Sequence, residues 1–167
     1  MSSPKKKKIP KLVCDASVWL QGVFGFEESA TRVISCVING RIIAIANSYC
    51  VLEVLRGAKR IAGRFRLPPG TAETRIWNIF TKGSVQLVFD QPLDESIIRQ
   101  ARKKTEYQIL SQALGLEPKD IPYVVLAFDK RAPLVTTDIR SLYNRRSKIE
   151  RITGVRIMNP KQFLENL

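Results

Sequence analysis

Short, continuously apolar stretches alternate with longer segments of helical periodicity through most of the chain. The apolar stretches have the length of strands, and the segments between them repeat apolar residues three and four positions apart, as amphipathic helices do. The predicted strands are 11–14, 41–46, 85–89, 133–136 and 154–157; the predicted helices are 18–23, 27–39, 48–61, 71–82, 92–114 (one helix or two), 119–130, 139–152 and a last one from Pro160. This alternation indicates an α/β fold, a three-layer α/β/α sandwich with a mostly parallel central sheet of four or five strands.

Length and composition bound the organisation of the chain. With 167 residues, 44% of them hydrophobic, we expect one domain over residues 11–167, preceded by a flexible basic arm over residues 1–10. No apolar run reaches the roughly 18 residues of a membrane span, and the start of the sequence lacks the apolar core of a signal peptide. We therefore expect a cytoplasmic protein without a membrane partner. Cys14, Cys36 and Cys50 have apolar neighbours and are predicted to be reduced core thiols.

The charge of the chain is strongly positive. It has 28 Lys and Arg against 15 Asp and Glu, a formal net charge of +13. Phosphate polymers are the commonest partners for such an excess, because each phosphate that a protein neutralises releases counterions. We therefore expect nucleic acid as a partner; the alternative is a basic tail that mainly adds solubility.

Four acidic residues stand where a predicted strand leads into a helix or in the first turns of a helix: Asp15, Glu53, Asp120 and Asp138. In parallel sheets, ligands bind beyond the carboxyl ends of the strands, where Asp15 and Asp138 are expected. The chain has no histidine, so carboxylates are almost the only groups left for hydrolytic chemistry. Clustered carboxylate oxygens suit Mg²⁺ or Mn²⁺. The structural alternative is helix capping by the aspartates, beside predicted caps at Ser17 and Ser48, and an exposed position for Glu53.

Three segments of the chain form an ordered set of motifs. LVCDASV at residues 12–18 is an apolar strand followed by Asp, a small residue and Ser, and YCVLEVL at 49–55 is a helix with a single Glu. DIPYVVLAFDKRAPLVTTD at 120–138 runs from Asp through a helix and a strand to Thr-x-Asp. In order and spacing these segments resemble the motifs of PIN-domain ribonucleases. The resemblance runs from about Lys11 to the C-terminus and implies a PIN-like fold, central first and fourth strands, and a homodimer.

The resemblance also implies metal-assisted hydrolysis of RNA phosphodiester bonds. The residues that would hold one or two Mg²⁺ or Mn²⁺ ions are Asp15, Glu53, Asp120 and Asp138. Glu53 would either contribute a ligand or orient a water. Ser17 and Thr136 would orient the carboxylates from behind. The alternative for these two hydroxyl residues is helix capping and strand packing.

Two groups of cations flank the predicted site. The candidate nucleic-acid-binding residues are Arg56, Arg60, Arg64, Arg66, Arg140, Arg145 and Arg146. In the first group, cations would hold phosphates while Phe65 stacks on an unpaired base of single-stranded or structured RNA. The alternatives are a solvated helix face and, for Phe65, docking on the core or on a second subunit.

Three functions are compatible with these patterns. The leading hypothesis is an endoribonuclease similar to the toxin of a VapC-type toxin–antitoxin pair, with an antitoxin protein as partner. The second is a ribosomal-RNA-processing or structure-specific nuclease on the same fold, which cleavage of flapped DNA in preference to single-stranded RNA would indicate. The third is a noncatalytic RNA- or protein-binding PIN-like module. The presence of all four acidic residues argues against the third.

Overall fold

The computed structural model describes residues 8–167. Its centre is a five-stranded sheet in the order β3-β2-β1-β4-β5. The strands are β1 (Lys11–Cys14), β2 (Ile43–Asn47), β3 (Val85–Val88), β4 (Leu134–Val135) and β5 (Ile157–Met158). Every neighbouring pair is parallel, and helices flank the sheet. The predicted α/β sandwich with a parallel central sheet is therefore confirmed.

The helices connect successive strands, as parallel pairing requires. Within residues 8–167 they are α1 (Ala16–Val23), α2 (Glu28–Ile38), α3 (Ser48–Arg64), α4 (Thr71–Lys82), α5 (Ser96–Lys103), α6 (Thr105–Leu114), α7 (Ile121–Lys130), α8 (Arg146–Thr153) and α9 (Pro160–Glu165). A 3₁₀ turn at Pro118–Asp120 precedes α7, and a π-helical turn at Ile139–Tyr143 precedes α8. Both turns lie beside predicted site residues.

Strand β1 occupies the middle of the sheet because its side chains are apolar on both faces. Leu12, Val13 and Cys14 are fully buried, as expected for a parallel strand covered from both sides. Leu12 is in register with Ala44 of β2, and Val13 with Leu134 of β4. Since β1 ends at Cys14, the next residue, Asp15, emerges at the middle of the carboxyl edge of the sheet.

Close packing of α1 against its neighbours depends on two glycines. A Cβ atom added to Gly22 of α1 would lie 2.7 Å from the carbonyl oxygen of Ala30 in α2. A Cβ atom added to Gly57 of α3 would collide with the methyl groups of Leu20 in α1. These contacts fix the position of α1, the helix that begins at Asp15.

Two predicted helix caps were wrong by one or two residues. Asp15, not Ser17, caps α1 through a hydrogen bond from a backbone amide at 3.1 Å. Asn47, not Ser48, caps α3 in the same way at 3.0 Å. Asp, Asn and Ser are almost equally good caps, so propensity does not choose between neighbouring candidates. The direction in which the chain leaves the strand makes the choice.

Two predicted helical segments are interrupted. Residues 92–114 form α5 and α6, which are separated by Lys104 in an extended conformation, and α5 begins only at Ser96. The Asp94 side chain accepts a hydrogen bond at 2.9 Å from the amide of Ser96, the first residue of α5. Residues 139–152 form the π-helical turn and α8 instead of one continuous helix.

Three further expectations concern the ends, the thiols and the membrane. The predicted arm over residues 1–10 falls mostly on residues 1–7, which lie outside the described part of the chain. Residues 8–10 are exposed, and the Pro10 carbonyl accepts a hydrogen bond from the Ile43 amide at 2.9 Å. Cys14, Cys36 and Cys50 are buried and free, as predicted. Across residues 8–167, no helix combines the length and the apolar character needed to cross a membrane.

Candidate active site

Asp15 is a buried carboxylate that three donors hold at the carboxyl end of β1. Its Oδ1 atom accepts hydrogen bonds from the Ser17 hydroxyl at 2.5 Å and the Val18 amide at 3.1 Å. Its Oδ2 atom accepts a hydrogen bond from the Thr136 hydroxyl at 2.5 Å. Only 6% of the residue is exposed. Both hydroxyl residues singled out in the sequence therefore contact the same carboxylate.

Burial controls the protonation of Asp15. Loss of water around the carboxylate raises its pKa from the ordinary value of 3.8 to about 6, and the negative charge of Asp120 adds to the rise. The hydrogen bonds from Ser17, Thr136 and the Val18 amide act in the opposite direction because they stabilise the ionised form. The fold therefore holds a carboxylate whose negative charge is poorly compensated by its surroundings.

Asp138 and Asp120 are joined to Asp15 through two hydroxyl side chains. The Thr136 hydroxyl donates to Asp15 and accepts a hydrogen bond from the Asp138 amide at 2.9 Å. The Asp138 carboxylate accepts a hydrogen bond from the Ser141 amide at 3.0 Å, and the Ser141 hydroxyl donates to Asp120 Oδ2 at 2.7 Å. We call these five residues (Asp15, Asp120, Thr136, Asp138 and Ser141) the acidic network. Three of its members follow β4 in sequence: Thr136 comes directly after the strand, Asp138 caps the π-helical turn, and Ser141 lies within that turn.

Helix capping explains only part of the acidic network. Asp15 caps α1 and Asp138 caps the π-helical turn, so the structural alternative is realised for both. Asp120 makes no capping hydrogen bond and is only 7% exposed. Burial raises its pKa, with the charge of Asp138 adding to the rise, while the Ser141 hydrogen bond and Lys119 lower it. Asp15 and Asp120 are thus both buried. Helix capping alone does not explain why the fold bears the free-energy cost of burying two carboxylates.

Glu53 lies next to the acidic network without joining its hydrogen bonds. It stands on α3, and its carboxylate forms an ion pair with Arg56 of the same helix at 3.5 Å. Its side chain is partly buried, with 18% exposed. The charges of Glu53 and Asp120 both raise the pKa of Tyr49, after the larger effect of burial. Glu53 and Asp120 therefore both lie within electrostatic range of Tyr49.

The carboxylate oxygens of the acidic network are chemically suited to bind a hard divalent cation. Carboxylate oxygens are the ligands that Mg²⁺ and Mn²⁺ prefer, and a cation would offset the charges that burial leaves uncompensated. As they stand, the carboxylates turn toward hydroxyl and amide donors. In residues 8–167, no group of three or more Asp, Glu, Cys or His side chains is already arranged around one point as a metal site.

Comparison with known proteins rests on structure. No protein-family model matches the sequence, and no curated protein matches it significantly. PAE2754 from Pyrobaculum aerophilum superposes with a TM-score of 0.56 at 17% identity, covering 94% of this chain and 96% of that one. VapBC2 from Rickettsia felis, crystallised with a DNA fragment from its promoter, superposes with a TM-score of 0.55 at 10% identity, covering 89% and 98%. The chain has a VapC-like PIN fold.

Three residues near the carboxylates of this PIN fold were not singled out in the sequence. Ser141 bridges Asp138 and Asp120. Tyr49 donates its hydroxyl to the Lys119 carbonyl at 2.9 Å, and its ring meets that of Tyr123 edge-on at 5.8 Å. The Tyr123 hydroxyl is buried without a hydrogen-bond partner among the described residues. Spacing is the signal that was available: Ser141 and Tyr123 each follow an aspartate by three positions, one helical turn.

The second group of predicted RNA-binding cations borders the acidic network of the PIN fold. Arg140 and Arg145 line a cavity of about 360 Å³ together with Asp138 and Ser141. Arg145 donates a hydrogen bond to the backbone carbonyl of Arg140 at 3.3 Å, which holds the Arg145 side chain against the π-helical turn. Arg146 instead lies over the ring of Tyr143 at 4.3 Å. Within this second group, Arg140 and Arg145 are thus the cations placed beside a site carboxylate.

The first group lies mostly far from the carboxylates. Arg56 is paired with Glu53. Arg64 comes 11 residues after Glu53 in α3, which is just over three turns and about 16 Å along the helix axis. Arg60, Arg64 and Arg66 are exposed. Arg64 approaches the ring of Phe65 at 6.0 Å, and that ring stacks on Phe26 at 5.6 Å. This group forms a separate basic and aromatic surface at the end of α3.

Proposed function

We propose that the protein is a metal-dependent endoribonuclease that hydrolyses phosphodiester bonds of single-stranded RNA. The observation that carries the proposal is the acidic network, in which Asp15, Asp120 and Asp138 meet through hydroxyl bridges at the carboxyl edge of β1 and β4. This edge is where parallel α/β sheets bind ligands. The VapC-like PIN fold and the net charge of +13 are consistent with a nuclease acting on a polyanion.

The role of each residue follows from its contacts. Asp15, Asp120 and Asp138 would hold Mg²⁺ or Mn²⁺, with Glu53 as a further ligand or as an acceptor for water. The bound ion would supply a hydroxide-like nucleophile and offset charge that develops at phosphorus. The Thr136 hydroxyl ties the Asp15 carboxylate to the backbone of Asp138, because it donates to Asp15 and accepts from the Asp138 amide. Ser17 and Ser141 hold Asp15 and Asp120 in orientation.

Arg140 and Arg145 are the residues best placed to hold the RNA backbone at this site. Both line the cavity that contains Asp138, and both are exposed. Guanidinium groups form paired hydrogen bonds with phosphate oxygens and keep their charge at any physiological pH. Their attraction for the backbone would place a phosphodiester next to the carboxylates.

We further propose that the protein acts as the toxin of a type II toxin–antitoxin pair, as a cytoplasmic homodimer with an antitoxin partner. The fold likeness to VapBC2 supports this assignment over a ribosomal-RNA-processing role. Coexpression with the product of a neighbouring short gene tests it. A stable complex that suppresses RNA cleavage is expected, whereas a neighbouring product that neither binds nor inhibits would contradict the toxin assignment.

Cleavage of labelled single-stranded RNA tests the catalytic proposal. We expect activity with Mg²⁺ or Mn²⁺ and none in excess chelator, because no histidine exists to act as a metal-free base. Asp138→Asn should lower turnover by ~100-fold or more, since a neutral amide is a poorer ligand of nearly the same shape. Thr136→Val, which removes only the hydroxyl bridge, should cost about 10- to 100-fold.

Asp129→Asn is the matched control for Asp138→Asn. It makes the same chemical change at an exposed position near the end of α7, remote from the acidic network, and should leave the rate unchanged. Undiminished cleavage in chelator, or full activity of Asp138→Asn, would refute the mechanism. Tight RNA binding without cleavage in any divalent cation would favour the noncatalytic alternative.

A further inference from the structure

A second cavity, of about 560 Å³, opens beside the acidic network. Asn47, the last residue of β2, and Asp90, two residues beyond β3, form part of its wall, and α5 and the start of α6 form much of the remainder. It therefore lies on the same carboxyl edge of the sheet as Asp15. Its volume falls within the roughly 300–1,000 Å³ of pockets that hold small ligands. We call it the α5 cavity.

The α5 cavity and the acidic network share a wall. Tyr49 lines the cavity, and its hydroxyl donates to the Lys119 carbonyl, one residue before Asp120. Pro122 also lines the cavity, two residues after Asp120. A chain of nucleotides bound at the network would therefore reach the cavity without leaving the edge of the sheet.

Three cations line the α5 cavity without a carboxylate partner. Arg99, Lys103 and Lys104 are exposed side chains of its wall. In residues 8–167, the ion pairs closer than 4.0 Å are Arg56–Glu53 and Lys119–Glu117, so none of the three cavity cations takes part in one. Three cations without an ion-pair partner around one cavity favour an anionic ligand, and phosphate is an anion that both lysine and arginine side chains bind well.

The opposite wall offers groups that suit the edge of a nucleobase. The side-chain oxygen of Asn47 accepts a hydrogen bond from the Cys50 amide at 3.0 Å, which orients its NH₂ group away from α3 as a donor. Asp90 adds a carboxylate acceptor, and Gln91 a further amide. Amide and carboxylate side chains read base edges through paired donors and acceptors.

We propose that the α5 cavity binds one nucleotide of the RNA next to the scissile bond, with its phosphate against Arg99, Lys103 and Lys104. The base lies against Asn47 and Asp90. This inference rests on the proposed ribonuclease function for its substrate. It adds a binding site outside the carboxylates and outside both cation groups that the sequence indicated.

Binding measured in chelator separates this site from catalysis. Fluorescence anisotropy of a labelled single-stranded RNA decamer would compare the wild type with two triple variants that remove the same charge. The cavity variant is Arg99→Ala/Lys103→Ala/Lys104→Ala. The control variant is Arg32→Ala/Arg41→Ala/Lys82→Ala, whose exposed cations lie on α2 and just before the amino ends of β2 and β3.

The cavity variant should bind RNA at least about 10-fold more weakly than the control variant. Its plot of log affinity against log salt should be less steep than that of the wild type by about 0.7, since the contact with one phosphate of a single strand is lost. Circular dichroism should show both variants folded, because all six side chains are exposed. Equal losses of affinity in the two variants would overturn the proposal.

Cross-linking of the wild-type protein locates the base without any substitution. RNA that contains 4-thiouridine, irradiated in chelator, should cross-link to peptides from the wall of the cavity, around Tyr49 and residues 90–107. Cross-links confined to other peptides, no RNA binding at all, or equally strong competition by polyglutamate would each overturn the nucleotide assignment. If the protein binds RNA in the α5 cavity but never cleaves it, the binding site stands and the nuclease proposal is wrong. If the protein cleaves RNA with Mn²⁺ while the cavity variant binds RNA normally, the nuclease proposal stands and the binding site is wrong.

Discussion

Replacing Asp15 by Asn should stabilise the metal-free protein at neutral pH. Most substitutions of buried residues destabilise a fold, so a gain in stability would be a specific sign of an uncompensated carboxylate. Burial raises the pKa of Asp15 to about 6 in spite of three hydrogen bonds. The ionised side chain therefore opposes folding at pH 8, whereas a neutral amide of the same shape does not.

The magnitude follows from the pKa. At about 1.4 kcal/mol per pH unit, the rise from 3.8 to about 6 corresponds to ~3 kcal/mol at pH 8. The asparagine NH₂ group would have to face Thr136, whose hydroxyl then accepts where it now donates; a weakened hydrogen bond costs about 1 kcal/mol. The net gain is about 1–2 kcal/mol, or ~2–8 °C in melting temperature for a protein of this size.

The gain should depend on pH in a defined direction. Because folding raises the pKa of Asp15, the native state binds this proton more tightly than the unfolded chain does. The stability that comes from the proton is fully present below about pH 4 and is lost as the pH rises through about 6. The difference between Asp15→Asn and the wild type should therefore disappear between pH 6 and pH 4.

Urea unfolding in chelator at pH 8 and pH 4.5 measures both effects. Asp129→Asn is the control, because it raises the net charge equally at an exposed position. Added Mn²⁺ should stabilise the wild type by mass action and the Asp15→Asn variant much less. A variant no more stable than the wild type at pH 8, or a gain of equal size at both pH values, would show that burial of this charge has been misjudged.

Further predictions concern packing and RNA binding. Gly22→Ala should destabilise the fold by about 1–3 kcal/mol in urea unfolding, because the new methyl group meets the backbone carbonyl of Ala30; Gly57→Ala should cost less, since the Leu20 side chain can move aside. Equal costs would contradict the assigned packing. RNA binding should weaken steeply with salt. Removal of residues 1–9, which contain four consecutive lysines, should lower the affinity for RNA and reduce the slope of log affinity against log salt by up to about 3. The melting temperature should stay unchanged. Salt-independent binding would contradict an interaction mainly with phosphates.

Much of the fold followed from local patterns in the sequence. Apolar runs such as residues 12–14 predicted buried parallel strands, because a strand covered on both faces must be apolar on both. The segments between them predicted helices through their periodicity. Local patterns were less informative at helix ends: Asp15 and Asn47 act as caps where Ser17 and Ser48 were expected. Cap residues compete on nearly equal terms, and the path of the chain out of the strand decides among them.

The sequence by itself determined that the chain forms an α/β sheet protein, strongly basic, with carboxylates as its main reactive groups. The sequence, however, does not tell which residues far apart in the chain lie close together in the fold. Only the tertiary structure brought Thr136 to Asp15 across 121 positions, because β1 and β4 pair side by side. Only the tertiary structure buried Asp120 against Ser141 and left Glu53 beside the network rather than within it. Burial and strand pairing arise from the packing of all the elements together, and they bring the acidic residues into one candidate site.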